Sequence, residues 1–173
     1  MTINAKLVKK LSEREGEIIS CLEFDKKHFF KSSDINHFFK RKSQRYNFIK
    51  KLLKKRRIVK LNQNKYYLIP MKAKSGWSEH PYIVIDEILN GHNYFINGWS
   101  AANYWRLTEQ IAMTEEVYTT KKRGEMKVLN IPIKFYHTTE KKIKEKSTIR
   151  TIQNHQFRII KKEESRRWLR KRR

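Results

Sequence analysis

Apolar residues recur at helical spacing through the first third of the chain, and the period changes after residue 57. Leu7, Leu11, Ile18, Ile19 and Leu22 fall three and four apart, which predicts a helix from Ala5 to Leu22. Gly16 is expected to divide it, leaving a lead-in and a first domain helix from about Glu17. Phe24 to Lys31 reads as a connector, with Phe29 and Phe30 folding into the core. Ser32 and Ser33 suit an N-cap and Asp34 a first turn, so a second helix should run to about Lys40 with Ile35, Phe38 and Phe39 inward. Ser43 is the expected cap of a third helix whose apolar residues are Tyr46, Phe48, Ile49, Leu52 and Leu53. Ile49, Leu52 and Leu53 form its gripping stripe, and Gln44, Arg45, Asn47, Lys50, Lys51 and Lys54 face away. From Ile58 the chain reads as two strands, Ile58 to Leu61 and Tyr66 to Ile69. Asn62 to Lys65 turns them, where asparagine tolerates a left-handed backbone, and Pro70 ends the second.

Met71 to His80 is polar and irregular and reads as a linker. Pro81 opens a helix that continues from Tyr82 to Leu89 and stops at Asn90-Gly91. Tyr94 to Ile96 is a short strand, followed by a helix from Ser100 to Leu107. Val117 to Thr120, Met126 to Leu129 and Ile131 to His137 read as strands, the first two joined by a turn at Lys122-Arg123-Gly124. Ile133, Phe135 and His137 alternate with Lys134 and Tyr136, the period of a half-buried strand. Ile149 to Ile152 and Gln156 to Ile160 are two weaker strands around Asn154, and Glu163 to Arg173 reads as a final basic helix. There are no internal repeats.

The pattern therefore predicts an α+β protein. A winged helix-turn-helix domain spans 1–70, a linker 71–80, and a small α+β domain with a mainly antiparallel sheet and a basic C-terminal helix 81–173. Charge sharpens this division. The chain carries 41 basic and 17 acidic residues in 173, a formal net charge of +24. Residues 1–70 hold 19 basic and 6 acidic, net +13; residues 71–140 hold 8 of each; residues 141–173 hold 14 and 3, net +11. Such self-repulsion calls for a polyanionic partner, and a uniformly lysine-rich background would not spare the middle third. With 38% hydrophobic and 12% aromatic residues the chain has enough apolar material for a modest core.

Function-bearing residues concentrate in the third helix. In a helix-turn-helix the first residues of the second motif helix meet base edges. Here they are Lys42, Ser43, Gln44, Arg45 and Asn47. Arginine pairs with guanine, and glutamine or asparagine with adenine, so Arg45→Ala is expected to lose most specific affinity. Lys50, Lys51 and Lys54 are placed for phosphates, and Lys60, Asn64 and Lys65 for the backbone or minor groove at the wing. Arg166, Arg167, Arg170 and Lys171 form a possible second nucleic-acid contact, with Trp168 and Leu169 packing against the body.

Catalytic signatures are lacking. The six histidines have no zinc-site spacing, and no phosphate loop, dinucleotide fingerprint or nucleophile elbow occurs. Asp86 and Glu87 read as solvated helix residues. No catalytic residue, metal site or cofactor is expected. Single Cys21 reads as a buried thiol in a reducing cytoplasm, no apolar run reaches membrane-spanning length, and Met1 to Lys10 lacks a signal-peptide core.

The segment Asn93-Tyr94-Phe95-Ile96-Asn97-Gly98-Trp99-Ser100-Ala101-Ala102-Asn103-Tyr104-Trp105-Arg106-Leu107-Thr108-Glu109-Gln110 resembles the signature of the AbiEi family. Pro81-Tyr82, Val117 to Lys121 and Ile131 to Tyr136 resemble flanking parts of that family, so the resemblance covers roughly residues 15 to 160. Read physically, the segment is mostly structural: Gly98 for a tight turn, Ser100 for a cap, Ala101 and Ala102 for close packing, with Tyr104, Trp105 and Leu107 against the sheet. The resemblance implies a winged-helix transcriptional repressor that binds double-stranded promoter repeats. It also implies the antitoxin role of a type IV toxin–antitoxin system, opposing a nucleotidyltransferase-like toxin usually without direct contact. Family members commonly continue into further helices with an acidic segment, where this chain ends in arginine and lysine. The residues alone leave two alternatives open: a general nucleic-acid-coating architectural protein without antitoxin activity, and an interaction subunit whose neutral middle docks a toxin.

Overall fold

The computed structural model describes residues 11–73 and 79–172. The expected helical lead-in over 5–10, the leader reading of residues 1–10, Lys74, Ser75 and Gly76 of the linker, and Arg173 lie outside the described residues. The chain is mixed α+β and divides into two compact units, Met1–Ser75 and Gly76–Arg173.

The first unit begins with α1, Glu13–Phe24. Its start is set by a reciprocal cap: Ser12 Oγ accepts from the Glu15 amide at 3.3 Å, and Glu15 Oε2 accepts from the Ser12 amide at 2.7 Å. The helix runs through Gly16 instead of breaking there, because the 15, 18, 19, 22 stripe buries Glu15, Ile18, Ile19 and Leu22 together. Cys21 lies off this stripe and is exposed, correcting the buried-thiol reading. The expected connector contains a strand, β1 (Phe29–Lys31), whose Phe30 is buried. The second helix is a tight 3₁₀ turn over Ser32–Phe38; neither serine caps it, and the Asp34 carboxylate accepts from the Lys31 amide at 2.7 Å instead. Helix α2 is Lys42–Lys54, burying Phe48, Ile49 and Leu52. Its N-cap is Arg41 and makes no side-chain bond, so Ser43 lies inside the helix.

Strands β2 (Ile58–Lys60) and β3 (Lys65–Leu68) follow, and β3 is central in an antiparallel sheet ordered β1-β3-β2. Asn62 shapes the intervening tip with its side chain, its Oδ1 accepting from the amides of Asn64 and Lys65 at 3.2 and 3.1 Å. No residue of the tip has a positive φ, so asparagine acts here as an Asx-turn acceptor rather than through a left-handed backbone. Leu52, Ile35, Phe30 and Leu68 are at the centre of this unit's core.

The second unit is a six-stranded sheet with helices α3 (Pro81–Leu89), α4 (Gly98–Tyr104), α5 (Glu140–Lys146) and α6 (Lys162–Arg170). The strands are β4 (Tyr94–Asn97), β5 (Glu115–Thr119), β6 (Gly124–Val128), β7 (Ile131–His137), β8 (Ser147–Ile152) and β9 (His155–Ile160), in the order β6-β7-β5-β4-β9-β8. Three pairings are antiparallel, and β5–β7 and β4–β9 are parallel, so the sheet is mixed. The expected β5–β6 hairpin does not form, because β7 lies between them. The tight hairpins are β6–β7 through Leu129-Asn130 and β8–β9 through Gln153-Asn154, all four residues at positive φ as a type I′ turn requires. Helix α5 was not apparent in the apolar pattern: a single buried Ile143 anchors it, and Thr139 caps it.

Tyr94, Val117, Phe135 and Phe157 lie in the buried layer of this sheet, where Phe157 meets Tyr82 of α3 at 4.9 Å between ring centroids. Ser100 is not a cap. It lies inside α4, donates to buried Glu115 at 2.5 Å and bonds the Tyr82 hydroxyl at 2.9 Å. Tyr104, Trp105 and Leu107 are half-buried. Gly98 turns the chain from β4 into α4 at φ +71°, and a Cβ there would lie 2.6 Å from the Glu116 side chain.

The two glycines predict opposite responses. Gly16 has open space around it inside a regular helix, so Gly16→Ala should stabilise the first unit by about 0.5–1 kcal/mol, read by amide exchange at Ile19 and Leu52. Gly98→Ala forces a left-handed backbone on a Cβ and should destabilise the second unit by about 1–2 kcal/mol. The tryptophans among the described residues, Trp99, Trp105 and Trp168, all belong to the second unit, so fluorescence in urea reads that change.

Candidate nucleic-acid interface

Helix α2 carries no acid, and residues 35–78 contain none. All six acids of the first 70 residues precede position 35. Several are engaged in contacts that hold the unit together. Glu15 pairs with Lys55 at 2.5 Å, with both side chains largely buried. Glu23 accepts from the Met71 amide at 2.6 Å and its charge acts on Arg57. Asp25 pairs with Lys27 at 3.1 Å, and Asp34 caps the 3₁₀ turn. The cations so neutralised include Lys55 and Arg57, just beyond the end of α2. Among the described residues no ion pair reaches Lys42, Lys50, Lys51 or Lys54, which are all exposed.

Helical geometry sorts the expected contact residues into three groups. Ser43, Asn47, Lys50 and Lys54 follow the i, i+4, i+7, i+11 spacing opposite the buried stripe, and all four are exposed. Tyr46, expected among the apolar positions, flanks this stripe and is 65% exposed. Gln44 and Lys51, with Asn47 at the border, line a recess of about 260 Å³ beside the start of α1, walled by Arg14 and Phe39. Arg14 closes the far side by donating to the Phe38 carbonyl at 2.8 Å and sitting over the Phe39 ring at 5.2 Å. Arg45 is half-buried and shares the spacing of Ile49 and Leu52, so its stem lies toward the core.

At the strand tip, Lys60 and Asn64 are exposed and Lys65 is half-buried. The Asn64 carbonyl accepts from the Ser32 amide at 3.1 Å, which fixes the tip against the 3₁₀ turn. In the second unit, Arg166, Arg167, Arg170 and Lys171 are all exposed at α6 or its end. Leu169 is buried and Trp168 meets Trp99 edge-on at 5.4 Å. Glu164 partly neutralises this group, bonding Arg167 at 2.6 Å and Lys146 at 3.3 Å.

Asp86 and Glu87 are not solvated. The Asp86 carboxylate accepts from the Tyr94 hydroxyl at 2.6 Å and bonds His155 Nε2 at 3.0 Å, while Glu87 lies 4.0 Å from His155 Nδ1. Tyr94 in turn accepts from the Arg158 amide at 3.0 Å, so this network ties α3 to β4 and β9. Sequence reasoning missed it because its members are far apart in the chain. Among the described residues there is no group of three or more metal-ligating side chains and no helix long and apolar enough to cross a membrane.

No protein-family model matches this chain, and no curated protein matches it.

Burial alone would raise the pKa of Glu15, but hydrogen bonds from Lys55 and the Ser12 amide, with the Lys55 charge, outweigh it and hold the carboxyl below its ordinary value. A lowered folded-state pKa contributes stability above the unfolded value that is lost as pH falls through the folded one. The first unit is therefore expected to loosen below about pH 4, and Glu15→Gln should flatten that dependence in amide exchange at Ile19 and Leu52. Lys55→Met strands a buried carboxylate and should cost about 3 kcal/mol at neutral pH by the same measurement.

Proposed function

We propose that the first unit is a winged helix that binds double-stranded DNA, with α2 as the recognition helix and the β2–β3 tip as its wing. The observation that carries this reading is the exposed stripe Ser43, Asn47, Lys50, Lys54 on an acid-free helix whose other side is locked into a core. The element order, α1, β1, a 3₁₀ turn, α2 and a two-strand ribbon returning beside β1, supports it. Phosphates neutralise the lysines, and a rigid helix lets short polar side chains address base edges. Asn47, mid-stripe, is the leading base reader, suited to paired bonds with adenine. Arg45 takes a flanking position, a revision forced by its half-buried stem. Lys42, Lys60 and Asn64 supply phosphate contacts at the margins.

At the level of the whole protein we propose a promoter-binding repressor of the AbiEi kind, opposing a nucleotidyltransferase-like toxin. The segment from Asn93 to Gln110 supports this, as does its placement after a DNA-binding unit.

Gel-shift titration against the chain's own promoter tests the DNA reading. Asn47→Ala should lose about 1–3 kcal/mol of discrimination against random duplex, more than Arg45→Ala. Lys50→Ala and Lys54→Ala should weaken all duplexes alike and each reduce the salt slope by about one. If random duplex or single-stranded RNA displaces the promoter equally well, the chain is a general coating protein and the repressor reading fails.

A further inference from the structure

The second unit holds a cleft of about 630 Å³ between the sheet and helices α5 and α6. Its floor is the strand face opposite to the one packed on α3. Phe95 and Tyr118 stack there at 5.3 Å and 10°, and Tyr118 stacks on Tyr136 at 5.0 Å and 23°, forming a row of rings across β4, β5 and β7. Lys142 and Lys146 of α5 line one wall, and Arg167 and Arg170 of α6, with Lys171 at its end, the other. Glu164 is the single acid against these five cations. The middle third of the sequence is neutral, so this concentration arises because α5 and α6 bring their charge back over the neutral sheet.

One buried group points to a ligand. Asn97 lines the cleft at 5% exposure, and its Oδ1 has no hydrogen-bond partner among the described residues. Its side chain bonds the Tyr118 hydroxyl, which lines the same cleft. An acceptor held out of water without a partner costs about 1–3 kcal/mol. The Asn97 side chain makes no cap bond to α4.

We propose that this cleft binds a nucleoside phosphate. The excess of lysine and arginine selects phosphate oxygens, with Arg167 or Arg170 able to engage two at once. The volume far exceeds what inorganic phosphate fills and lies in the range of organic ligand sites. Trp168, Phe95 and Ile160 give the cleft an apolar side for a flat heterocycle. Asn97 Oδ1 then accepts from an amino or ring N–H donor of the base, which inorganic polyphosphate lacks. The inference concerns the second unit alone and stands or falls independently of DNA binding by α2.

Calorimetric titration of the full chain with ATP, GTP, CTP, UTP and tripolyphosphate tests it. At least one nucleotide should bind with a Kd under about 1 mM and at least about tenfold more tightly than tripolyphosphate. The double variant Lys142→Ala/Lys146→Ala should weaken that nucleotide about tenfold or more, and Asn97→Ala should erase its advantage over tripolyphosphate. Lys50→Ala/Lys54→Ala should leave nucleotide affinity unchanged. The lysines of α5 sit at the surface, so their variant remains a fair test should Asn97→Ala unfold. A 5′-phosphorylated single-stranded oligonucleotide, titrated in parallel, separates a free nucleotide from the end of a strand as the natural source. Equal affinity for tripolyphosphate, no binding by any nucleotide, or loss of nucleotide affinity on substituting α2 instead of α5 would overturn the proposal.

Discussion

The first unit depends on the contact between Glu15 and Lys55. Net charge of +13 within 70 residues works against compaction, so the few acids must be placed where they do the most. Glu15 is held by its own helix cap, a local contact that fixes its carboxylate at the start of α1. Lys55 then meets a charge that cannot move, and the C-terminal end of α2 is set against the N-terminal end of α1. With that register fixed, Phe48, Ile49 and Leu52 enter the core, and Ser43, Asn47, Lys50 and Lys54 are turned out. The acid neutralises the basic helix at its far end and leaves the outward stripe at full charge.

The second unit meets the same composition differently. Two of its acids, Glu115 on the sheet and Asp86 on α3, are spent inside. Glu115 receives the Ser100 hydroxyl, and Asp86 gathers Tyr94 and His155. Burial pushes the Glu115 carboxyl up, only partly offset by that hydroxyl. Its stabilising contribution is therefore present at low pH and is lost as pH rises, opposite in sign to Glu15. The two carboxyls thus contribute with opposite sign because Glu15 is held by a cation and Glu115 only by a neutral hydroxyl.

Much of this was legible where a local rule governs. Period-three and period-four apolar residues identified α2, its start expected two residues late because Ser43 was taken as the cap, and Pro81 with Asn90 bounded α3 on both sides. Strand β7 was read over its full length because its alternation is strict. Elements failed where long-range partners decide. Phe29–Lys31 has no alternation of its own and becomes a strand only because β3 offers an edge. Lys122-Arg123-Gly124 looks like a hairpin turn, yet Leu129-Asn130 closes the hairpin that forms, and β7 then takes the place beside β5. Within the candidate interface the outward lysines were legible from spacing. Arg45 was read as facing away because early position in a helix was weighed above its rotational place, four residues before Ile49, and it is half-buried there.

Charge alone does not distinguish the two basic surfaces of this chain; shape does. The stripe on α2 is convex, its side chains short or flexible, with an exposed tyrosine at its edge. A convex cationic helix complements a groove, which brings phosphates to it on both sides. The surface made by α5 and α6 is concave, with cations on two walls and stacked rings beneath. A duplex presents its phosphates on a convex backbone with the bases turned away, so it cannot bring a base to Asn97 in that cleft. A small ligand that carries its phosphate and its heterocycle together can reach both. The same excess of lysine and arginine therefore supports two separate readings, one for each curvature, and each is set by the apolar scaffold behind it.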